Sequence, residues 1–324
     1  MKKKVILGLV LSALLVYLSV RGIQFQGVME AIKAVRSAYL FPALFMLLLM
    51  QVFRSFRWGL ILRPIARLEP LPLFSVTSVG FLAIIAIPAR LGELARPYLI
   101  RQRCGVPMSS ALGTVFVERV FDCLTVLMIA ALAVFFTELP PWLIRSSVLL
   151  LVITMGVFVC MVLLIVKREA SLAVLKPLIG KLPPRYGTAV HRLIHHFIQG
   201  FGMVVDPALL ASVAGLSLLT WLVYVLSIYM TFLAFGFHLP FSASVVLMII
   251  LIIGIAIPTA PGFVGSWHYA CILGLGLFGI PKTEALSFAI LFHFLSIGIV
   301  IALGLIFLPF NRFSLSDIRQ ETTP

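Results

Sequence analysis

Arg90, Glu93 and Arg96 lie within nine residues of one another in Pro88-x-Arg90-x-Gly92-Glu93-x-x-Arg96, and Glu118, Arg119 and Asp122 follow in one apolar run. Three arginines face three carboxylates. The planar fork of arginine suits phosphate oxygens, so Arg90, Arg96 and Arg119 are candidates for receiving an anionic headgroup. The carboxylates would position them, and one could carry a proton. Glu118 and Asp122 are four apart and share a helix face, with Arg119 rotated by about 100°. A self-neutralised clamp between neighbouring elements is the competing reading, and the two roles are compatible. His268 and His293 are isolated polar residues in apolar surroundings; a satisfied core histidine competes there with a proton relay. Nucleophile–base pairs and metal-ligand spacings are absent. Cys104, Cys123, Cys160 and Cys271 form no Cys-x-x-Cys pair, so zinc and a disulfide framework are not expected. No catalytic residue, metal or cofactor is expected.

The elements that must hold these charges are apolar. Of 324 residues 62% are hydrophobic and 11% charged, which excludes an ordinary soluble domain. The net charge of +14 comes from Lys and Arg between apolar runs, a topology signal rather than a nucleic-acid surface. It also attracts anionic lipid headgroups. At about 2.5–3.5 kcal/mol for each charge placed in lipid, the six central charges must face protein, water or one another.

The first span, Val5 to Val20, follows Lys2, Lys3 and Lys4 and has a poor cleavage site after it, so it reads as uncleaved. Gly22 to Leu40 reads as a short interfacial helix with Val28, Ile32, Val35 and Tyr39 on one face. The second span, Phe41 to Leu62, ends in Arg54, Arg57, Trp58 and Arg63, an end suited to a cytoplasmic interface. Leu73 to Ile87 is too short to cross comfortably and breaks at Pro88, and Arg63/Arg67 and Arg101/Arg103 flank the segment. Basic flanks on both sides predict a re-entrant hairpin. Spans over 110–137 and 143–166 follow. The basic loop 167–206 contains an amphipathic stretch, with Val190, Ile194, Phe197, Phe201 and Val204 on one face and His191, Arg192, His195, His196 and Gln199 on the other, expected on the membrane surface. Asp206-Pro207 is a helix start for a span to Phe237. A second broken hairpin, 242–278, turns at Pro258-Thr259-Ala260-Pro261-Gly262, and the last span is Glu284 to Leu308. Cytoplasmic segments hold about 17 of the 25 Lys and Arg residues, with both termini inside.

The hairpins resemble each other. Ile85-Ala86-Ile87-Pro88 recurs as Ile255-Ala256-Ile257-Pro258, Gly92 as Gly262, and Gly105-Val106-Pro107 as Gly279-Ile280-Pro281. The ordered series predicts two halves, 1–142 and 143–312, within one integral membrane domain. The expected architecture is all-α and polytopic: six transmembrane helices plus two re-entrant broken hairpins in an inverted-repeat arrangement. That plan recurs in secondary transporters.

These motifs resemble a known family, the flippase-like transmembrane region of lysylphosphatidylglycerol synthases, over nearly the whole chain. The residues carrying the resemblance are Arg57-Trp58, Pro88-x-Arg90-x-Gly92-Glu93-x-x-Arg96, Glu118-Arg119-x-x-Asp122 and Pro258-x-x-Pro261-Gly262-x-x-Gly265. The family pattern has a second glycine after Pro-Gly and a glutamate shortly beyond, where this chain has Phe263 and His268. It also departs in lacking the soluble aminoacyl-transfer domain, so lysyl transfer is not expected. The resemblance implies a flippase or translocator for an anionic phospholipid or a polyprenyl-phosphate-linked lipid in the inner membrane of a prokaryote. Its substrate-binding set would be Arg57, Arg90, Glu93, Arg96, Glu118, Arg119 and Asp122. Pro88, Gly92, Pro258, Pro261, Gly262 and Gly265 would shape the hairpins. The alternatives are an intramembrane enzyme modifying lipid headgroups and a non-transporting partner of a lipid glycosylation or synthase enzyme. The expected partners are membrane lipids, and beyond them a second copy or an enzyme of lipid synthesis.

Overall fold

The computed structural model describes residues 2–87, 92–133, 141–167, 183–257 and 259–311. Twelve α-helices carry them: α1 Lys2–Val20, α2 Phe25–Lys33, α3 Leu40–Leu62, α4 Pro70–Ala86, α5 Ala95–Cys104, α6 Met108–Ala133, α7 Pro141–Val166, α8 Pro184–Gln199, α9 Pro207–Phe235, α10 Phe241–Ala256, α11 Ser266–Gly276 and α12 Lys282–Phe307. No strand occurs among the described residues. Several helices expose rows of large apolar side chains, Val148 to Ile153 on α7 among them, as lipid-facing surfaces do. The protein is an integral, multi-pass α-helical membrane protein.

Four segments are long and apolar enough to cross a bilayer: Ser37–Leu62, Ile144–Val166, Pro207–Phe235 and Lys282–Phe310. A fifth results if Ile6–Val20 and Phe25–Lys33, bent by 79°, form one span. The sequence count of six differs at α1 and α6. The 26 residues of α6 are long enough at about 1.5 Å each, but Glu118, Arg119 and Asp122 make its middle polar.

Local signals explain several boundaries. The Asp206 carboxylate caps α9 by accepting from the amides of Ala208 and Leu209 at 2.9 and 3.1 Å. Helices α4 and α10 end at Ala86 and Ala256, each followed by an extended isoleucine, Ile87 with ψ 122° and Ile257 with ψ 124°. Pro88 and Pro258, the expected breakers, lie outside the described residues, but a residue before proline is biased towards this extended region. The repeated Gly105 and Gly279 both have positive φ, 65° and 75°. Helix α2 is shorter than expected, so Val35 and Tyr39 lie beyond it; it packs on α12, with Val28 buried.

Helix neighbours come in matching pairs. Helix α3 packs on α9; α4 packs on α12 as α10 packs on α6; α5 packs on α6 as α11 packs on α12; α2 packs on α12 as α8 packs on α6. The contact of α8 adds a protein partner to the surface-helix expectation. A Cβ on Gly113 of α6 would lie 2.2 Å from the Phe197 carbonyl oxygen, and one on Gly200 would lie 2.4 Å from that of Ser110. The helix is therefore docked backbone-to-backbone on protein, with Ile198 and Phe201 buried. Of the basic loop, 168–182 lies outside the described residues.

Side-chain contacts bring both ends of the first hairpin to one side. Asn311 Nδ2 donates to Ser75 Oγ near the start of α4, at 2.7 Å, and Arg103 at the end of α5 donates to the Phe310 carbonyl at 2.9 Å. At the other side, Lys282 Nζ donates to the carbonyls of Leu18 and Arg21 at 2.9 and 2.7 Å, and the Arg36 amide donates to that of Ala234 at 2.9 Å. Between these sides α4 contacts the turn Pro261–Phe263 of the second hairpin. Ser12 of α1 donates to the Val264 carbonyl beside that turn, satisfying broken backbone that lipid could not.

Candidate functional site

Arg57 lies in the last third of α3, Arg96 at the start of α5, and Glu118, Arg119 and Asp122 in the middle of α6. Packing of these three helices assembles one ion network. Arg57 Nη1 donates to Asp122 Oδ1 at 2.6 Å and its Nη2 to Glu118 Oε1 at 3.2 Å. Arg96 Nη1 donates to Glu118 Oε2 at 2.6 Å. Arg119 pairs with Glu118 and, at 3.2 Å, with Asp122. Glu118 thus receives three guanidinium groups, while Asp122 receives two and the indole N–H of Trp221 at 3.0 Å. Ser217 of α9 accepts from Arg57 at 3.2 Å.

Arg57, Arg96 and Glu118 are fully buried. An arginine without a carboxylate would be costly there. Shared carboxylates meet that need, and aromatic faces add to it: the Arg96 guanidinium is 5.0 Å from the ring centroids of both Trp58 and Phe81. Trp58 is itself buried and donates to Thr114 at 3.2 Å. Arg57 and Trp58, expected at a membrane interface, are therefore buried inside the protein. Glycine admits Arg96: a Cβ on Gly80 would lie 2.1 Å from Arg96 Cγ.

Beside the network is a cavity of about 240 Å³. Arg54, Glu93, Arg96 and Arg119 form its charged wall, with Gln51 beside them; Ile252, Ile255, Phe263, Ile297 and Val300 line the apolar side, and Trp221, Tyr224 and Trp267 add aromatic surface. The Arg119 side chain is 46% exposed, against 1% for Arg57. The network thus has a sealed part, Arg57 and Arg96 with Glu118 and Asp122, and a part open to the cavity, Arg119; Glu93 lines the cavity beside it. Arg90 lies outside the described residues.

The second hairpin supplies Ile252, Ile255 and Phe263 of the apolar wall, and α12 supplies Ile297 and Val300. Pro261 begins its turn, and Gly262 and Gly265 have φ of 70° and 94°, values favourable only for glycine. Phe263, where the family pattern has glycine, also has positive φ, 58°; its ring fills part of the cavity wall. In the first hairpin Gly92 passes so close to α4 that a Cβ would lie 2.1 Å from the Ala83 carbonyl oxygen. His268 and His293, distant in sequence, are in ring contact with centroids 4.7 Å apart, and His293 Nε2 is 2.8 Å from the Gly262 carbonyl oxygen. Their neighbours Trp267 and Ser296 line the cavity.

Sequence reasoning missed Arg54, Trp221 and Gly80. Gln51, Arg54, Ser55 and Trp58 follow helical spacing inside an apolar run, and that polar stripe was the signal for Arg54. Nothing local in the sequence marks Trp221 or Gly80.

Fold and site define a multi-pass membrane protein with a buried ion network facing a mid-molecule cavity. The chain belongs to the lysylphosphatidylglycerol synthase TM region family, whose pattern matches residues 5–304. It is 22% identical over 303 residues to a UPF0104 membrane protein of Methanothermobacter thermautotrophicus, covering 89% of this chain and 90% of the relative. It is 27% identical over 230 residues to a UPF0104 membrane protein of Methanocaldococcus jannaschii, covering 68% of this chain and 90% of that relative. No solved structure matches the chain.

Proposed function

We propose that the protein is a lipid translocator whose cavity receives the anionic headgroup of a phospholipid or polyprenyl-phosphate-linked lipid while the chains stay in the bilayer. The observation carrying this reading is the cavity itself, with Arg54, Glu93, Arg96 and Arg119 on one wall and mainly apolar side chains opposite. A headgroup needs the first wall and its tails the second. Family membership supports a membrane role of this kind.

The matching helix contacts support an inverted repeat, in which α1–α6 correspond to α7–α12 and the two hairpins enter from opposite faces. With α1 and α6 as spans, six crossings result and both termini are cytoplasmic, in a prokaryotic cell membrane. On this reading Glu93, Arg96, Arg119 and Arg90 meet the headgroup, and Arg57, Glu118 and Asp122 hold them in place. Gly92, Pro261, Gly262 and Gly265, with Pro88 and Pro258, shape the hairpins, and His268 with His293 carries a coupling proton.

The test is translocation of a labelled anionic phospholipid in proteoliposomes, with lipid masses recorded before and after. Arg119→Ala and Glu93→Ala reduce translocation at least tenfold while the protein remains monodisperse. Wild-type rates in both variants sink this site, and a changed headgroup mass favours the enzyme alternative. Translocation stimulated by a pH gradient loses that stimulation in His293→Phe.

A further inference from the structure

Among the described residues, Phe263 alone has a positive φ without being glycine, 58°. A bulky side chain rarely adopts that conformation, whereas glycine holds it freely. Its neighbours in the same turn follow that rule, with glycine at 262 and 265. The strained residue is also pinned on both sides. Its amide donates to the Ala260 carbonyl at 3.0 Å, and its carbonyl accepts from Ser266 Oγ at 3.2 Å. One residue before it, the Gly262 carbonyl accepts from His293 Nε2 of α12 at 2.8 Å. One residue after it, the Val264 carbonyl accepts from Ser12 of α1. Backbone strain that the surrounding structure over-determines in this way is concentrated at functional positions.

The ring stands at a particular level of the cavity. Gly262 and Gly92 both lie against the last turn of α4. A Cβ on Gly262 would be 3.9 Å from Ile85 Cγ2, and one on Gly92 would be 2.1 Å from the Ala83 carbonyl oxygen. Phe263 follows the first glycine and Glu93 the second, and both line the cavity. Phe263 therefore enters the cavity at the end of α4 where Glu93 stands, beside the charged wall.

We propose, building on the translocator reading, that Phe263 sets the size of the headgroup the cavity accepts. With the ring in place the cavity holds about 240 Å³. It takes a phosphodiester carrying a small polar group, such as glycerol, and excludes one carrying a sugar-sized ring, such as inositol. Steric exclusion is a repulsive route to specificity, and it gives a reason for a phenylalanine where the backbone asks for glycine. The ring cannot yield by moving the turn, because that movement breaks the bonds from Ser12, His293 and Ser266.

The purified protein in detergent is titrated with dioctanoyl phosphatidylglycerol and dioctanoyl phosphatidylinositol, two singly charged phosphodiesters with the same chains. Trp221 and Trp267 line the cavity, so tryptophan fluorescence reads binding. The wild type binds phosphatidylglycerol at least tenfold more tightly than phosphatidylinositol. Phe263→Gly and Phe263→Ala narrow that ratio to within twofold, chiefly by gaining affinity for phosphatidylinositol. Phe263→Gly also unfolds at a higher temperature than Phe263→Ala, because both lack the ring and only alanine keeps the unfavourable φ. A merely structural role would lower stability and leave the ratio unmoved. Equal binding of the two lipids by the wild type, an unchanged ratio in both variants, no binding of either lipid, or a reversed order of unfolding temperatures overturns the proposal. Selective binding without translocation in proteoliposomes sinks the translocator reading alone. Translocation of both lipids at equal rates by wild type and variants sinks the role of Phe263 alone.

Discussion

Arg96 reaches Glu118 by crossing α4 at the one place where residue 80 has no side chain; a Cβ on Gly80 would lie 2.1 Å from Arg96 Cγ and 2.9 Å from its Cδ. These are the inner carbons of the side chain, so rotation of its far end cannot relieve the clash. Gly80→Ala is expected to displace Arg96 from Glu118 and lower stability by about 3 kcal/mol, the scale for breaking a buried pair. Denaturant titration in detergent reads this, and an unchanged midpoint would show that the arginine has another route.

Glu118 and Asp122 differ in what their loss strands. Without the Glu118 charge, Arg96 keeps no ion pair of those seen among the described residues, while Arg57 and Arg119 retain Asp122. Without the Asp122 charge, each arginine retains Glu118. Glu118→Gln is therefore expected to cost about 3–5 kcal/mol and Asp122→Asn about 1–3 kcal/mol. The order of the two unfolding midpoints is the measurement, and a reversed order would contradict the geometry.

At the α6–α8 crossing, Gly113 and Gly200 meet opposing backbone. Gly113→Val or Gly200→Val is expected to undock α8 while leaving the ion network in place. Amide exchange over 184–205 should rise at least tenfold in either variant, with exchange around Glu118 unchanged.

The sequence was readable where one residue or a short spacing decides the structure. Asp206 before proline marks a helix start, and the ordered repeat locates the helix ends at Ala86 and Ala256. The charged residues of α6 were likewise visible as a set that must be buried together. What was not readable depends on which faces meet. Arg57 at the end of an apolar run looks like a membrane-surface anchor until α6 is known to bring Asp122 within 2.6 Å. The docking of α8 on α6 was unreadable for the same reason, since an amphipathic pattern does not say that Gly113 meets the end of its apolar face. His268 and His293 were noticed singly, but their contact depends on how α11 packs on α12.

The hydrogen bond from Ser12 to Val264 spans 252 positions, and that from Lys282 to Leu18 spans 264. Ribosomes make α1 well before the turn it steadies. Until residue 264 enters the membrane, the seat of α1 does not exist, so the N-terminal helix must wait among lipids while most of the chain is synthesised. The bundle is closed by α1 meeting the second hairpin and α12, a long-range step of the slow kind, and a chain halted midway through synthesis would hold the ion network's charges without the hairpin that walls them off.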